Sequence, residues 1–73
     1  MSENELYIFL KTLLLESGNM SEAQISKEIN VNQQNFNRKL KSGTLRFLEV
    51  QKMLNVLGYK LYLGKDGTMR EIK

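Results

Sequence analysis

The stretch from Ser21 to Lys41, SEAQISKEINVNQQNFNRKLK, decides the fold. It contains two helix starts separated by a very short break. Ser21 and Gln24 have the spacing of a capping box, in which each side chain accepts the other's backbone N–H. Met20 and Ile25 have the spacing of a hydrophobic staple across that cap. A helix over 22–29 follows, with Ala23, Ile25, Ser26 and Ile29 forming a small apolar face. Asn30-Val31-Asn32 then interrupts it. Asn30 tolerates a left-handed backbone better than most residues with a side chain. Asn32 is a good N-cap, and Val31 with Phe36 repeats the staple spacing. The next helix is expected over 33–41, ending near Ser42-Gly43. Two caps so close together mean two helices meeting at a steep angle, with small Ser26 allowing the close approach.

Upstream, Ser2 and Glu5 form another capping-box pair. Leu6, Phe9, Leu10, Leu13 and Leu14 fall at i, i+3, i+4, i+7 and i+8, a single apolar stripe that predicts a helix over 3–17 closed by Gly18. Downstream, Phe47, Val50, Leu54 and Leu57 predict the inner face of a fourth helix at about 48–57, widened by Met53 and Val56. After Gly58 the period changes to two. Tyr59, Leu61 and Leu63 alternate with Lys60 and Tyr62, and Asp66-Gly67 is a hairpin signal. A hairpin over about 59–72 would place Tyr59, Leu61, Leu63, Arg70 and Ile72 on one face and Tyr62 and Met69 on the other. The expected fold is mainly α: a four-helix bundle with a central helix-turn-helix plus a C-terminal β-hairpin, in a single domain over 1–73.

Composition narrows the functions open to such a domain. The chain has 73 residues, no Cys and no His. Disulfide staples, thiolate metal sites, the usual zinc sites and the usual general base are therefore missing. No paired carboxylates converge on a pocket, so we expect no enzyme, no cofactor and no metal. Apolar runs such as Leu13-Leu14-Leu15 fall far short of the roughly 20 residues of a membrane span. The acidic, polar start Met1-Ser2-Glu3-Asn4-Glu5 is unlike a signal peptide. These features lead us to expect a cytoplasmic protein with no membrane partner and no small-molecule ligand. Net charge is +3, unevenly spread. Residues 1–31 hold two Lys against five Glu, whereas residues 32–73 hold nine Lys or Arg against three acids. That asymmetry predicts one acidic and one basic side.

The helix over 33–41 is short and polar. Only Phe36 and Leu40 are large and apolar, so its neighbours must hold it in place. A wheel centred on those two residues points Gln34, Asn37, Arg38 and Lys41 outward. Gln and Asn can bond adenine N6 and N7 in bidentate fashion, and Arg can do the same to guanine O6 and N7.

The run from Ser21 to Arg38, continued through Leu40-Lys41-Ser42-Gly43-Thr44 and Leu54 to Tyr59, resembles the XRE family of Cro and lambda-type phage repressors. It is similar to short bacterial and phage members that end in a strand or hairpin. The resemblance implies a transcription regulator, a repressor or Cro-like protein, whose helix after the turn enters the major groove of double-stranded DNA. It assigns base reading to Gln33, Gln34, Asn37 and Arg38. Phosphate contacts would come from Ser21, Asn32, Lys39, Lys41, Ser42, Thr44 and Arg46, with Lys27 and Lys52 as weaker candidates. Two positions depart from the family pattern. Glu22 stands where a phosphate-touching Gln is common, and Lys39-Leu40 replaces the more usual apolar-then-acidic order.

One domain of this size covers a half-site, so a homodimer is expected. Tyr62, Met69, Leu61 and Ile72 of the hairpin are its candidate dimerisation residues, by pairing of edge strands. The competing role for the hairpin is to cover its own helices. The competing function for the chain is a protein-interaction module, such as an antirepressor or antitoxin, on the same helical scaffold.

Overall fold

The computed structural model describes residues 1–18 and 20–73. Four α-helices come first: α1 (Glu3–Ser17), α2 (Glu22–Glu28), α3 (Gln33–Ser42) and α4 (Phe47–Val56). A two-stranded antiparallel hairpin of β1 (Leu61–Lys65) and β2 (Thr68–Ile72) closes the chain. Among the described residues no helix is long and apolar enough to cross a membrane.

The helix starts form as their side chains dictate. Ser2 Oγ accepts the Glu5 N–H at 3.1 Å while Glu5 accepts the Ser2 N–H, and Ser21 with Gln24 does the same for α2. Asn32 Oδ1 accepts the Asn35 N–H at the start of α3. Each cap satisfies backbone donors that the first turn leaves without partners.

The helix ends are equally specific. Asn30 takes φ +60°, the Asn30 N–H donates to Lys27 O, and the Val31 N–H donates to Ser26 O at 2.9 Å. This is a Schellman closure with Asn in the left-handed position. Gly43 closes α3 in the same way, with the Thr44 N–H donating to Lys39 O. Here glycine is required twice over. Its φ is +70°, and an added Cβ would stand 2.6 and 2.7 Å from the carbonyl carbon and Cα of Glu3. The start of α1 therefore rests directly on the end of α3.

The core lies where α1 and α2 meet α3 and where α4 meets α2. Leu10, Leu14, Ile25, Ile29, Phe36, Leu40, Leu45, Met53 and Leu54 are buried there. Ser26 is buried as well, and its hydroxyl donates to Ala23 O, so the close approach of α2 leaves no polar atom stranded. Ala23, expected on the inner face of α2, is exposed.

The fourth helix differs most from its predicted packing. Met53 is fully buried at its centre, Gln51 is buried, and Phe47 is 56% exposed. Phe47 does lie on the Leu54 face, as two helical turns of spacing require. Leu45, from the segment before the helix, enters the core in its place, and Phe47 instead borders a groove shared with α1 and the hairpin.

The hairpin has the predicted register. Leu61 pairs with Ile72, Leu63 with Arg70 and Lys65 with Thr68, leaving Asp66-Gly67 as a two-residue loop. Asp66 and Gly67 have φ +47° and +84°, the two positive values that a type I′ turn needs. Leu61, Leu63, Arg70 and Ile72 share one face, and Tyr62 and Met69 share the other. The helices hold the hairpin through Tyr59 and Leu61, which pack on the core, and through Gln51 Nε2, which donates to Ile72 O at 3.4 Å. β1 begins two residues later than the alternation suggested, because the Tyr59 N–H is taken by Leu54 O in the closure of α4.

Candidate nucleic-acid interface

Phe36 and Leu40 are 1% and 0% exposed, and they fix how α3 is turned. With those two residues inward, Gln33, Gln34, Asn35, Arg38 and Lys41 are exposed. The outer face of α3 thus carries amides and cations, with no carboxylate and no large apolar side chain.

Asn37 stands apart from its predicted neighbours. It is half-buried, and its Oδ1 is buried without a hydrogen-bond partner. Bidentate bonding to adenine needs both the amide oxygen and the amide N–H at the surface. In this orientation Asn37 offers N–H donors alone. Asn35, which the sequence reading left without a role, is on the outer face instead. Its Oδ1 accepts from the Arg38 guanidinium at 3.4 Å, one helical turn away. That bond occupies a single Arg38 donor and leaves the rest of the fork free.

The predicted phosphate ligands divide into three kinds. Lys41 and Arg46 are exposed and have no carboxylate within ion-pair distance among the described residues. Lys39 is half-buried and paired with Glu49 Oε2 at 3.5 Å. Glu49 also accepts the Arg46 N–H at 3.0 Å, capping the start of α4. The Arg46 N–H first, and the Lys39 ammonium after it, hold the Glu49 carboxyl below its ordinary range, against the opposing effect of partial burial. The polar caps form the third kind. Ser21 Oγ and Asn32 Oδ1 accept backbone N–H groups, which leaves the Ser21 hydroxyl proton and the Asn32 amide N–H as donors. Ser42 and Thr44 share a hydrogen bond of 2.7 Å.

Glu22, the acid at a position where phosphate contact is common, is paired with Lys11 Nζ at 3.5 Å. An α1 cation thus offsets the repulsion this acid would otherwise exert at the start of α2. Lys11–Glu22 and Lys39–Glu49 are both links between helices, and neither follows from local spacing. Once both pairs are formed, Arg38, Lys41 and Arg46 remain as the cations around α3 without an ion-pair partner among the described residues, and of these only Arg46 lies near an acid, Glu49, which accepts its backbone N–H.

The four candidate dimerisation residues lie on opposite faces of the hairpin. Tyr62 and Met69 are 50% and 73% exposed on the outer face. Leu61 and Ile72 are half-buried on the inner face. That inner face, with α1 and the start of α4, bounds a groove of about 470 Å³ lined by Phe9, Leu13, Phe47, Leu54, Leu61 and Leu63 among others. Phe9 and Phe47 were read as core residues of their helices, and the signal that separates them from Leu10 and Leu45 is non-local. Comparisons of this chain with protein families, with curated proteins and with solved structures give no match.

Proposed function

We propose that the chain is a sequence-specific DNA-binding transcriptional regulator, acting in the cytoplasm as a homodimer. In this reading α2 and α3 form the helix-turn-helix of a four-helix bundle, and α3 enters the major groove of an operator. The observation that carries it is the outer face of α3, with exposed Gln34, Asn35, Arg38 and Lys41 and no acid among them. A solvated helix face is normally a mixture of Glu and Lys, because both favour helix and keep it soluble. Asn in their place lowers helix propensity, and neither Asn nor Gln adds charge or core packing, which is explained if those amides meet base edges.

Gln33, Gln34 and Arg38 read bases, Asn37 adds an N–H donor, and Asn35 braces Arg38. Lys41 and Arg46 neutralise phosphates on either side, and Ser21, Asn32, Ser42 and Thr44 add neutral donors. Lys39 takes part only if Glu49 releases it. The resemblance to Cro and lambda-type repressors supports the same arrangement. A helix of this length reads one half-site, so an operator with two half-sites about 34–36 Å apart requires two copies.

Selection of bound duplexes from a random pool tests the reading. The expected result is one short motif repeated with two-fold symmetry. Gln34→Ala and Arg38→Ala should each relax preference at a single base position, with losses of roughly 1–3 kcal/mol against the preferred base. Lys41→Ala should weaken binding to all duplexes alike. A pool with no enriched motif would overturn the reading. It would favour the second one, a protein-interaction module of antirepressor or antitoxin type, for which the uncovered apolar groove beside Phe9 and Phe47 is the supporting observation.

A further inference from the structure

We infer that the groove between α1, the start of α4 and the hairpin seats a second copy of this chain, with the inner hairpin face of each copy packed against Phe9 and Phe47 of the other. The inference deepens the homodimer reading above and rests on it. It places the contact on the opposite hairpin face from Tyr62 and Met69.

Leu63 carries the first part of the case. It lies on the hairpin face turned towards the helices, beside Leu61, yet it is 67% exposed. Across the groove Phe9 and Phe47 are 47% and 56% exposed. The hairpin stands off from the helices, and neither surface is filled by its own chain. A two-stranded hairpin is marginal in water unless its apolar face is covered.

The chemistry of the lining restricts the occupant. Among the described residues Lys60 is the only charged one lining it, so the groove offers little to DNA or to an acidic peptide. The exposed cations beside α3, Arg38, Lys41 and Arg46, are not among its lining residues. An apolar occupant is needed, and the chain supplies one. Under a two-fold axis, Leu63 of one copy meets Phe9 and Phe47 of the other, and the reciprocal contact forms by symmetry. Each residue is then both guest and host.

The area is of the right size. At roughly 200 Å² apiece, Phe9, Phe47 and Leu63 leave on the order of 300 Å² of apolar surface uncovered, and the half-buried Leu13, Leu61 and Ile72 of the same lining add to it. A standard stable interface covers about 800 Å² on each partner, a little over half of it apolar. The groove therefore accounts for the apolar centre of a dimer, and the hairpin edges and the α1 surface supply the polar rim.

Sedimentation equilibrium of the full chain without DNA tests this, with Leu63→Glu against Met69→Glu. Both positions are exposed, so both variants should keep the helical circular-dichroism signal. The expected result is a wild-type dimer with dissociation in the micromolar range, weakened at least about 100-fold by Leu63→Glu and less than about threefold by Met69→Glu. A wild-type chain that stays monomeric up to about 500 µM, well above the expected micromolar dissociation, would overturn the inference. So would an effect of Met69→Glu as large as that of Leu63→Glu. Intermolecular NOEs from Leu63 methyls to Phe9 or Phe47 rings in a mixed-label sample are the second measurement, and their absence from a proven dimer also overturns it. The two readings fail separately. On an isolated half-site duplex Leu63→Glu should bind as wild type does, and a dimer that dissociates in this variant but shows no preferred duplex would sink DNA reading while leaving the groove contact intact.

Discussion

The turn that ends α3 and the turn that joins β1 to β2 are made with the same device and set in opposite surroundings. Each uses a glycine at clearly positive φ, +70° for Gly43 and +84° for Gly67. Gly43 is wedged against the backbone of Glu3, whereas nothing lies within 4 Å of where a Gly67 Cβ would stand. The α3 end is held by tertiary contact as well as by local conformation. The hairpin turn is held by local conformation alone. The same contrast runs through both regions. Every large apolar residue of α3 is buried, while the hairpin keeps Leu63, Met69 and Tyr62 half exposed or more. Stability is concentrated in the helical body that aims α3, and the hairpin is available for another surface.

Alanine at the two glycines is the strongest way to break this comparison. Gly43→Ala meets left-handed strain and a backbone collision that no side-chain rotation relieves. We expect a loss of at least about 3 kcal/mol, a large share of what a domain this small has. By thermal denaturation that is a fall of roughly 15 °C or more. Gly67→Ala meets the strain alone and should cost about 1 kcal/mol, or roughly 5 °C. Equal losses at the two positions would show that α1 does not rest on the end of α3.

The same contrast explains what the sequence made legible. The bounds of α1, the capping boxes at Ser2 and Ser21, the left-handed Asn30 and the Asp66-Gly67 turn are each specified within a few residues, and all were readable. The hairpin register followed from its turn. The inner face of α4 was not readable, because whether Phe47 or Leu45 fills the core depends on where the chain arrives from α3. Gln51 is buried where the hairpin carbonyl of Ile72 comes beside it, a contact between residues 21 apart that no helical periodicity announces. The pairing of Lys39 with Glu49 joins residues ten apart across a turn, so no helical periodicity announces it. In the candidate interface, residue type was visible in the sequence, but the inward amide oxygen of Asn37 and the bracing of Arg38 by Asn35 were not.

Glu49→Gln sharpens the comparison by testing a link within the helical body. Gln at this position can still accept the Arg46 N–H, so the change removes charge and little else. Because the folded carboxyl titrates below its ordinary value of 4.5, its contribution is present above that value. It disappears as pH falls through the lower folded value. We expect the variant to be about 0.5–1 kcal/mol less stable at pH 7, with the difference vanishing in acid. If the proposed DNA binding is right, Lys39, freed from its partner, joins the exposed cations around α3, so binding to any duplex should tighten and its salt dependence should steepen by about one phosphate contact. Lower stability with unchanged salt dependence would mean that Lys39 cannot reach the backbone.

Asn37 is where the comparison blurs, since it belongs to the well-packed region and yet holds an unpaired buried oxygen. Such an acceptor costs free energy that its own helix does not recover. Asn is also a poorer helix former than Ala. Asn37→Ala should therefore raise stability, by about 0.5 kcal/mol once the lost contacts of the side chain are set against both gains. If the inward oxygen also prevents bidentate base reading, the same variant should disturb base preference less than Gln34→Ala does. Thermal melts and duplex selection on the one protein measure both. A fall in stability would show that the oxygen has a partner, such as an ordered water. A loss of preference as large as that of Gln34→Ala would show that the amide turns outward on DNA, with the cost of leaving it inward in the free protein making that rotation easier.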